Sequence, residues 1–143
     1  MMLIMSSSIF RPDLLQDSVA IVTGGGSGIG SAIARELGAI GANVVIASRK
    51  QDRIEAAAAG LSKELGRPVL GVACDIRDRD AVDHLVDATI QEFGRVDVLV
   101  NNGGGQFFSP AQFITPNGWD AVIATNLTGT WNLTQSVANR WML

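Results

Sequence analysis

The stretch Val19–Gly30, VAIVTGGGSGIG, decides how this chain is read. Its first five residues form a short apolar run, and a strand of that kind needs cover on both faces. The glycines that follow let the backbone turn sharply and approach another group closely. A helix begins after the turn. Its unpaired N–H groups and the positive end of its dipole point back at the glycines. A strand, a glycine turn and a helix start, in that order, make a phosphate site.

Working outward, the same unit recurs. Strands are expected at 19–23, 43–48, 69–74 and 96–100. Helices are expected at about 28–37, with Ile29, Ile33 and Leu37 inward, at 51–65, and at 79–93, with Val82, Leu85, Val86, Ile90 and Phe93 inward. Gly66 and Gly94 stop the second and third helices, and Asp78 caps the start of the third. Regular alternation of strand and helix implies a parallel sheet with right-handed crossovers, covered on both faces. The fold class is α/β, a doubly wound parallel sheet of the Rossmann kind. A long helix opens at Pro116. It carries Trp119, Val122, Ile123, Leu127, Trp131, Leu133, Val137 and Trp141, but after Asn117 only one acid and one base, Asp120 and Arg140. A helix so poor in charge is expected to be buried on more than one face, within a core or against a partner. Residues 1–17 read as a poorly ordered lead-in. Residues 18–143 read as a dinucleotide-binding domain that stops inside a helical pattern with no Gly or Pro signal, and therefore as the N-terminal portion of a longer fold.

Composition narrows the function classes. The 143 residues are 47% hydrophobic and 17% charged with a net charge of −3, which suits a globular chain. Lys and Arg are scattered, so nucleic acid is not an expected partner. No apolar run is long enough for a membrane span, and MMLIMSSSIFRP lacks the pattern of a secretory leader. The single cysteine, Cys74, suits a reducing, intracellular compartment.

The motifs sharpen the phosphate reading. A Walker loop would need Lys after Gly30, where Ser31 stands. The strict G-x-G-x-x-G pattern fits no register. What fits is Thr23-Gly24-x-x-x-Gly28-x-Gly30, in which Gly24 permits the turn, Gly28 admits a pyrophosphate and Gly30 lets helix and strand pack closely. At the end of the second strand, where a nicotinamide dinucleotide fold reads its ribose, stand Ser48-Arg49-Lys50 rather than a carboxylate. Arg49 offers a fork of donors for a 2′-phosphate, which favours NADP over NAD; a solvated helix start would also carry such charges. Asp75-Ile76 lies on the same sheet edge, and Asp75 can accept from an adenine amine. Asn101-Asn102-Gly103-Gly104 ends the fourth strand, where an Asn can tie strands together. Asn126 sits within the last helix, a poor place for Asn unless its amide finds partners or the helix bends. His84, the only histidine, lies off the inward face of its helix, and no metal cluster is expected.

TGGGSGIG, the Asp75 turn, NNGG and the helical Asn126, in this order and at these intervals, resemble the short-chain dehydrogenase/reductase family across nearly the whole chain. The resemblance implies NAD(P) binding and hydride transfer. It implies that Thr23, Gly24, Gly28 and Gly30 line the pyrophosphate, Arg49 the 2′-phosphate, Asp75 the adenine and Asn102 the ribose region. Ser27, Ile29, Lys50, Ile76, Gly103 and Gly104 complete the cofactor-binding set. Asn126 would be the helical member of the catalytic set, holding a water in a proton relay. The stretches FRPDLL, VIASRK, NNGGGQF and TNLTGT are similar to those of peroxisomal trans-2-enoyl-CoA and 2,4-dienoyl-CoA reductases. That likeness implies NADPH-dependent reduction of an acyl-CoA thioester, in a homo-oligomer, in the cytoplasm or the peroxisome. A ketoreductase or alcohol dehydrogenase, or a non-catalytic nucleotide-binding module, are the alternatives. The family pattern has Ala where Gly103 stands, and the missing methyl is expected to leave room for a bulky thioester. The family's Tyr-x-x-x-Lys set is absent, since the chain has no tyrosine.

Overall fold

A computed structural model describes residues 9–143. The order is β1 (Val19–Thr23), α1 (Gly28–Ala39), β2 (Asn43–Ser48), α2 (Gln51–Leu65), β3 (Val69–Ala73), α3 (Arg79–Phe93) and β4 (Val98–Val100). After a loop with a single 3-10 turn at Ala111–Phe113, one continuous helical path follows. It comprises α4 (Pro116–Val122), a widened π-type segment (Ile123–Thr128), α5 (Gly129–Val137) and a second π-type segment (Ala138–Met142). Residues 1–8 of the expected lead-in lie outside the described residues. Within the rest of it Leu15 N donates to Ile40 O at 2.8 Å, and just past it Ser18 O accepts from Asn43 N at 2.8 Å.

All strands are parallel, in the order β3-β2-β1-β4. Strand alternation divides the core. Ile21, Val45 and Ala47 face one side, against Val82, Leu85 and Val86 of α3 and Leu133 and Val137 of α5. Ala20, Val22, Val44 and Ile46 face the other, against Ala34 of α1 and Ile54, Ala58, Leu61 and Leu65 of α2. Every residue of β1 is buried, as the apolar run requires. Gly66 and Gly94 adopt the left-handed conformation at the ends of α2 and α3. Asp78 caps α3 through the N–H groups of Asp80 and Ala81.

Two expectations about helix faces are corrected. In α1 the fully buried residues are Gly30, Ala34 and Gly38; Ile33 and Leu37 pack half-buried against the same core, and Ile29 departs from the expected face. Ile29 is 75% exposed beside the glycine turn. Small residues win because α1 sits very close to its neighbours: a Cβ on Gly38 would lie 2.5 Å from Leu65 Cδ1. In the last helix only Gly118, Gly129, Asn132, Leu133, Ser136 and Val137 are buried. Trp119, Leu127 and Trp131 are more than half exposed and form an apolar stripe along the opposite side. Low charge marked this helix as needing cover; the described residues supply it on one face.

β4 is shorter than expected at its start because Asp97 turns to another task. Its carboxylate accepts from Val19 N at 2.8 Å and from Arg95 Nη2 at 2.6 Å, while Asp97 N donates to Val19 O at 2.9 Å. This brace closes the amino end of the sheet, and the Arg95 guanidinium with the Val19 N–H holds the carboxyl below its ordinary value of 3.8. Because the folded value is the lower one, the brace contributes fully above 3.8 and fades as pH falls through the folded value. Asp97→Ala is therefore expected to lose about 1 kcal/mol at neutral pH. Urea unfolding of variant and parent should converge in strong acid; a gap that persists there would refute the ionic brace.

Candidate functional site

The chain runs from β1 outward to β2 and β3, then crosses back to β4 on the other side of β1. A crevice opens at the carboxyl ends of β1 and β4, where ligands bind in sheets of this kind. On its floor Thr23 is only 1% exposed. Thr23 Oγ1 donates to Val100 O at 3.3 Å and accepts from Gly103 N at 2.9 Å. Asn102 Nδ2 donates to Thr23 O at 2.9 Å. Thr23 and Asn102 thus tie the two strand ends together and set the gap, as the Asn-Asn run suggested.

Above this floor the glycine turn has the shape an anion needs. Gly24 and Gly28 have φ of +66° and +53°. Beyond its chain neighbours and its own helix turn, nothing lies within 4 Å of where a Cβ on Gly28 would be, so this backbone is open for close approach. Ser27 precedes α1 and makes no capping bond with its side chain, and the first turn holds no acid. The exposed start of α1 therefore offers N–H groups and a hydroxyl to an anion, with Ile29 beside them. These features fit a dinucleotide pyrophosphate.

A cleft of about 190 Å³ continues from there, lined by Gly24, Ser48, Arg49, Asp75, Ile76, Arg77 and Gly103–Gly105 among others. Beside it a recess of about 250 Å³ is lined by Gly26, Ser27, Ser48, Arg49, Lys50 and Arg53. Three cations and two hydroxyls around one recess match a phosphate monoester. Arg53, in the first turn of α2 a few residues after Arg49, is absent from the sequence reading. Arg77 is likewise missed. It chelates Asp75 and holds that carboxyl down at about 2. Cys74 is buried in the cleft wall, and burial together with Asp75 and Asp78 pushes its thiol up to about 11. It is protonated at neutral pH and no nucleophile.

The loop after β4 is held from the other side. Asn126 Nδ2 donates to Gly105 O at 2.7 Å, and Gly105 N donates to Asn126 Oδ1 at 3.0 Å. A Cβ on Gly104 would lie 2.5 Å from Asn126 Oδ1, so Gly104 gives the amide its path. The helix widens around Asn126, and Thr130 Oγ1 donates to the Asn126 carbonyl at 2.7 Å. Gly103 differs from expectation: its Cβ would meet Thr23 Oγ1 at 3.0 Å, so the absent methyl relieves crowding against Thr23 rather than enlarging the cleft. His84 is exposed on α3, away from these residues. Among the described residues, no three His, Cys, Asp or Glu side chains are grouped to hold a metal, and no helix is long and apolar enough to cross a membrane.

A family profile described as short chain dehydrogenase matches residues 18–143. The chain belongs to the short-chain dehydrogenase family. Within it, the peroxisomal 2,4-dienoyl-CoA reductase [(3E)-enoyl-CoA-producing] of Danio rerio is 42% identical over 133 residues, 93% of this chain and 44% of that protein. The chain spans about half the length of the curated relatives it matches. Among solved structures, a citronellol catabolism dehydrogenase of Pseudomonas aeruginosa PAO1 superimposes with a TM-score of 0.87 at 43% identity, covering 94% of this chain and 55% of that one. A variant actinorhodin polyketide ketoreductase with NADPH gives 0.80 at 37% identity, covering 85% and 46%. The four-stranded parallel sheet with its flanking helices is this short-chain dehydrogenase fold, and the glycine turn, Asp75, Asn102 and Asn126 lie around one crevice.

Proposed function

We propose that the protein carrying this chain is an NADPH-dependent reductase of an unsaturated acyl-CoA thioester, and that these residues are its cofactor-binding part. The observation that carries the cofactor choice is the recess of Arg49, Lys50 and Arg53, in which no carboxylate lines the wall to repel a 2′-phosphate. The substrate class is supported by the relatives named 2,4-dienoyl-CoA reductase.

In this reading the open backbone at Gly28, with Gly24, Ser27, Ile29 and Gly30 around it, seats the pyrophosphate. Arg49 and Lys50 clamp the 2′-phosphate, Asp75 and Ile76 border the adenine, and Thr23 with Asn102, Gly103 and Gly104 shape the ribose end. When bound, the dinucleotide supplies the reducing equivalent. Asn126 pins the cleft loop through Gly105. In this reading the widened turn around it holds a water in the proton path. The exposed Trp119, Leu127 and Trp131 stripe supports a homo-oligomer, and the single buried thiol an intracellular place.

A carbonyl reductase is the second reading, favoured by the likeness to a ketoreductase bound to NADPH. One assay separates them. NADPH consumption by the protein is followed with a 2,4-dienoyl-CoA, a 2-enoyl-CoA and a ketone. Turnover of a thioester at least about tenfold above the ketone in kcat/KM is expected, a difference of ~1.4 kcal/mol in transition-state binding. Turnover of the ketone alone would overturn the thioester reading.

A further inference from the structure

Arg77 lines the cleft beside Asp75 and grips its carboxylate. Its Nε lies 2.9 Å from Asp75 Oδ1 and 3.2 Å from Oδ2, its Nη2 lies 2.6 Å from Oδ2, and its backbone N–H donates to Oδ1 at 3.1 Å. A carboxylate has about four acceptor positions, two on each oxygen. Oδ1 has both of its positions taken by Arg77. Oδ2 has one short bond and one long, shared contact. What remains is a single acceptor position on Oδ2, on a carboxylate that lines the cleft and cannot rotate without breaking the fork. Two residues of spacing build this device. The turn after β3 closes through Asp78 N to Asp75 O at 2.9 Å, which brings the side chains of Asp75 and Arg77 to the same side.

We infer that Arg77 is a positioning residue that sets base selectivity, by fixing Asp75 so that its one free acceptor position meets the exocyclic amine of an adenine. This deepens the cofactor reading above and rests on it. A base with an amine at that edge supplies the missing donor. A base with a carbonyl there, such as hypoxanthine, would bring an acceptor against an ionised carboxylate and be rejected. Without Arg77 the carboxylate is free to rotate into solvent, so the position of its acceptor, and the discrimination, are lost. Arg77 also separates two duties on one sheet edge. Its charge offsets Asp75 next to Arg49, so an acid can read the base without opposing a phosphate held a few residues away.

The test is a fluorescence titration of the protein with NADPH and with its hypoxanthine analogue. The parent is expected to prefer the adenine form by about tenfold, the worth of one good hydrogen bond to a charged acceptor. Arg77→Ala is expected to bring the ratio below about threefold, with an unfolding midpoint close to the parent's because the side chain is 44% exposed. Arg77→Lys keeps the charge and loses the fork, and is expected to lose the ratio as well. A parent without base preference, or either variant with the parent's preference, would overturn the inference while leaving the NADPH reading intact. A parent that binds neither dinucleotide would overturn both.

Discussion

Gly30→Ala is expected to lower the unfolding midpoint by ~10 °C, about 3 kcal/mol for a chain of this size, and to abolish measurable dinucleotide binding. The reason is geometric. A Cβ at position 30 would lie deep inside contact distance of the Gly24 carbonyl oxygen, 2.8 Å from the Gly24 carbonyl carbon and 2.5 Å from Asn102 Nδ2. Two of these atoms are backbone and cannot swing aside. The third belongs to the bond that ties β4 to β1. To admit one methyl, α1 must move off the sheet, the Gly24 turn must reshape, or the Asn102 bridge must break. Each alters the site as well as the fold. Gly60→Ala is the matched control. Gly60 is exposed in α2 and its Cβ would meet nothing within 4 Å. That substitution is expected to stabilise by about 0.5–1 kcal/mol through helix propensity and a less flexible unfolded chain. Calorimetry and dinucleotide titration of both variants check the pair. A Gly30→Ala protein as stable and as competent as the parent would refute the close packing at the turn.

Arg49→Asp is expected to weaken NADPH binding by about 100-fold and NADH binding by less than about threefold, a difference of about 2–2.7 kcal/mol. A guanidinium meets a phosphate through paired, charge-assisted hydrogen bonds, and the reversed charge adds repulsion to their loss. Arg49 borders both the cleft and the basic recess, and its side chain is exposed, so the substitution leaves the core untouched. Lys50 and Arg53 remain and keep the effect finite. Equal losses for the two cofactors would show that Arg49 does not read the 2′-phosphate. The double variant with Arg53→Ala is expected to widen the gap further, because the two cations share one recess.

Most of the frame was legible from local signals. α2 and α3 begin and end where their periodicity and their Gly66 and Gly94 stops place them. β1 and β2 match their apolar runs. These elements obey short-range rules, since a cap, a stop and a repeating apolar face all lie within a few residues of one another. Legibility failed where the partner is distant. In α1 Ile33 and Leu37 pack on the core as their spacing suggests, yet Ile29 is exposed and the closest contacts fall to Gly30, Ala34 and Gly38. How closely a helix may approach is a property of both surfaces, and small residues leave a weak signature in one of them. The Trp-rich last helix was read as covered because its composition is apolar, but composition reports what a face needs and not what lies against it.

The same division runs through the site. From the order of residues alone came a phosphate cradle after a buried strand, a cation where a ribose is read, an acid on the same edge, and an amide placed awkwardly in a helix. Each of these follows from chemistry that a single residue type carries with it. Only the tertiary structure decided that Thr23 is floor rather than wall, that Gly103 faces Thr23, that Asn126 spends its amide on Gly105, and that Arg77 claims three-quarters of the acceptor positions on Asp75. These are contacts between groups whose separation is set by strand register and crossover, and hydrogen bonds lose their strength within a fraction of an ångström. A sequence can name the groups; the packing of β1 against β4 and of the last helix over α3 sets the distances at which they act.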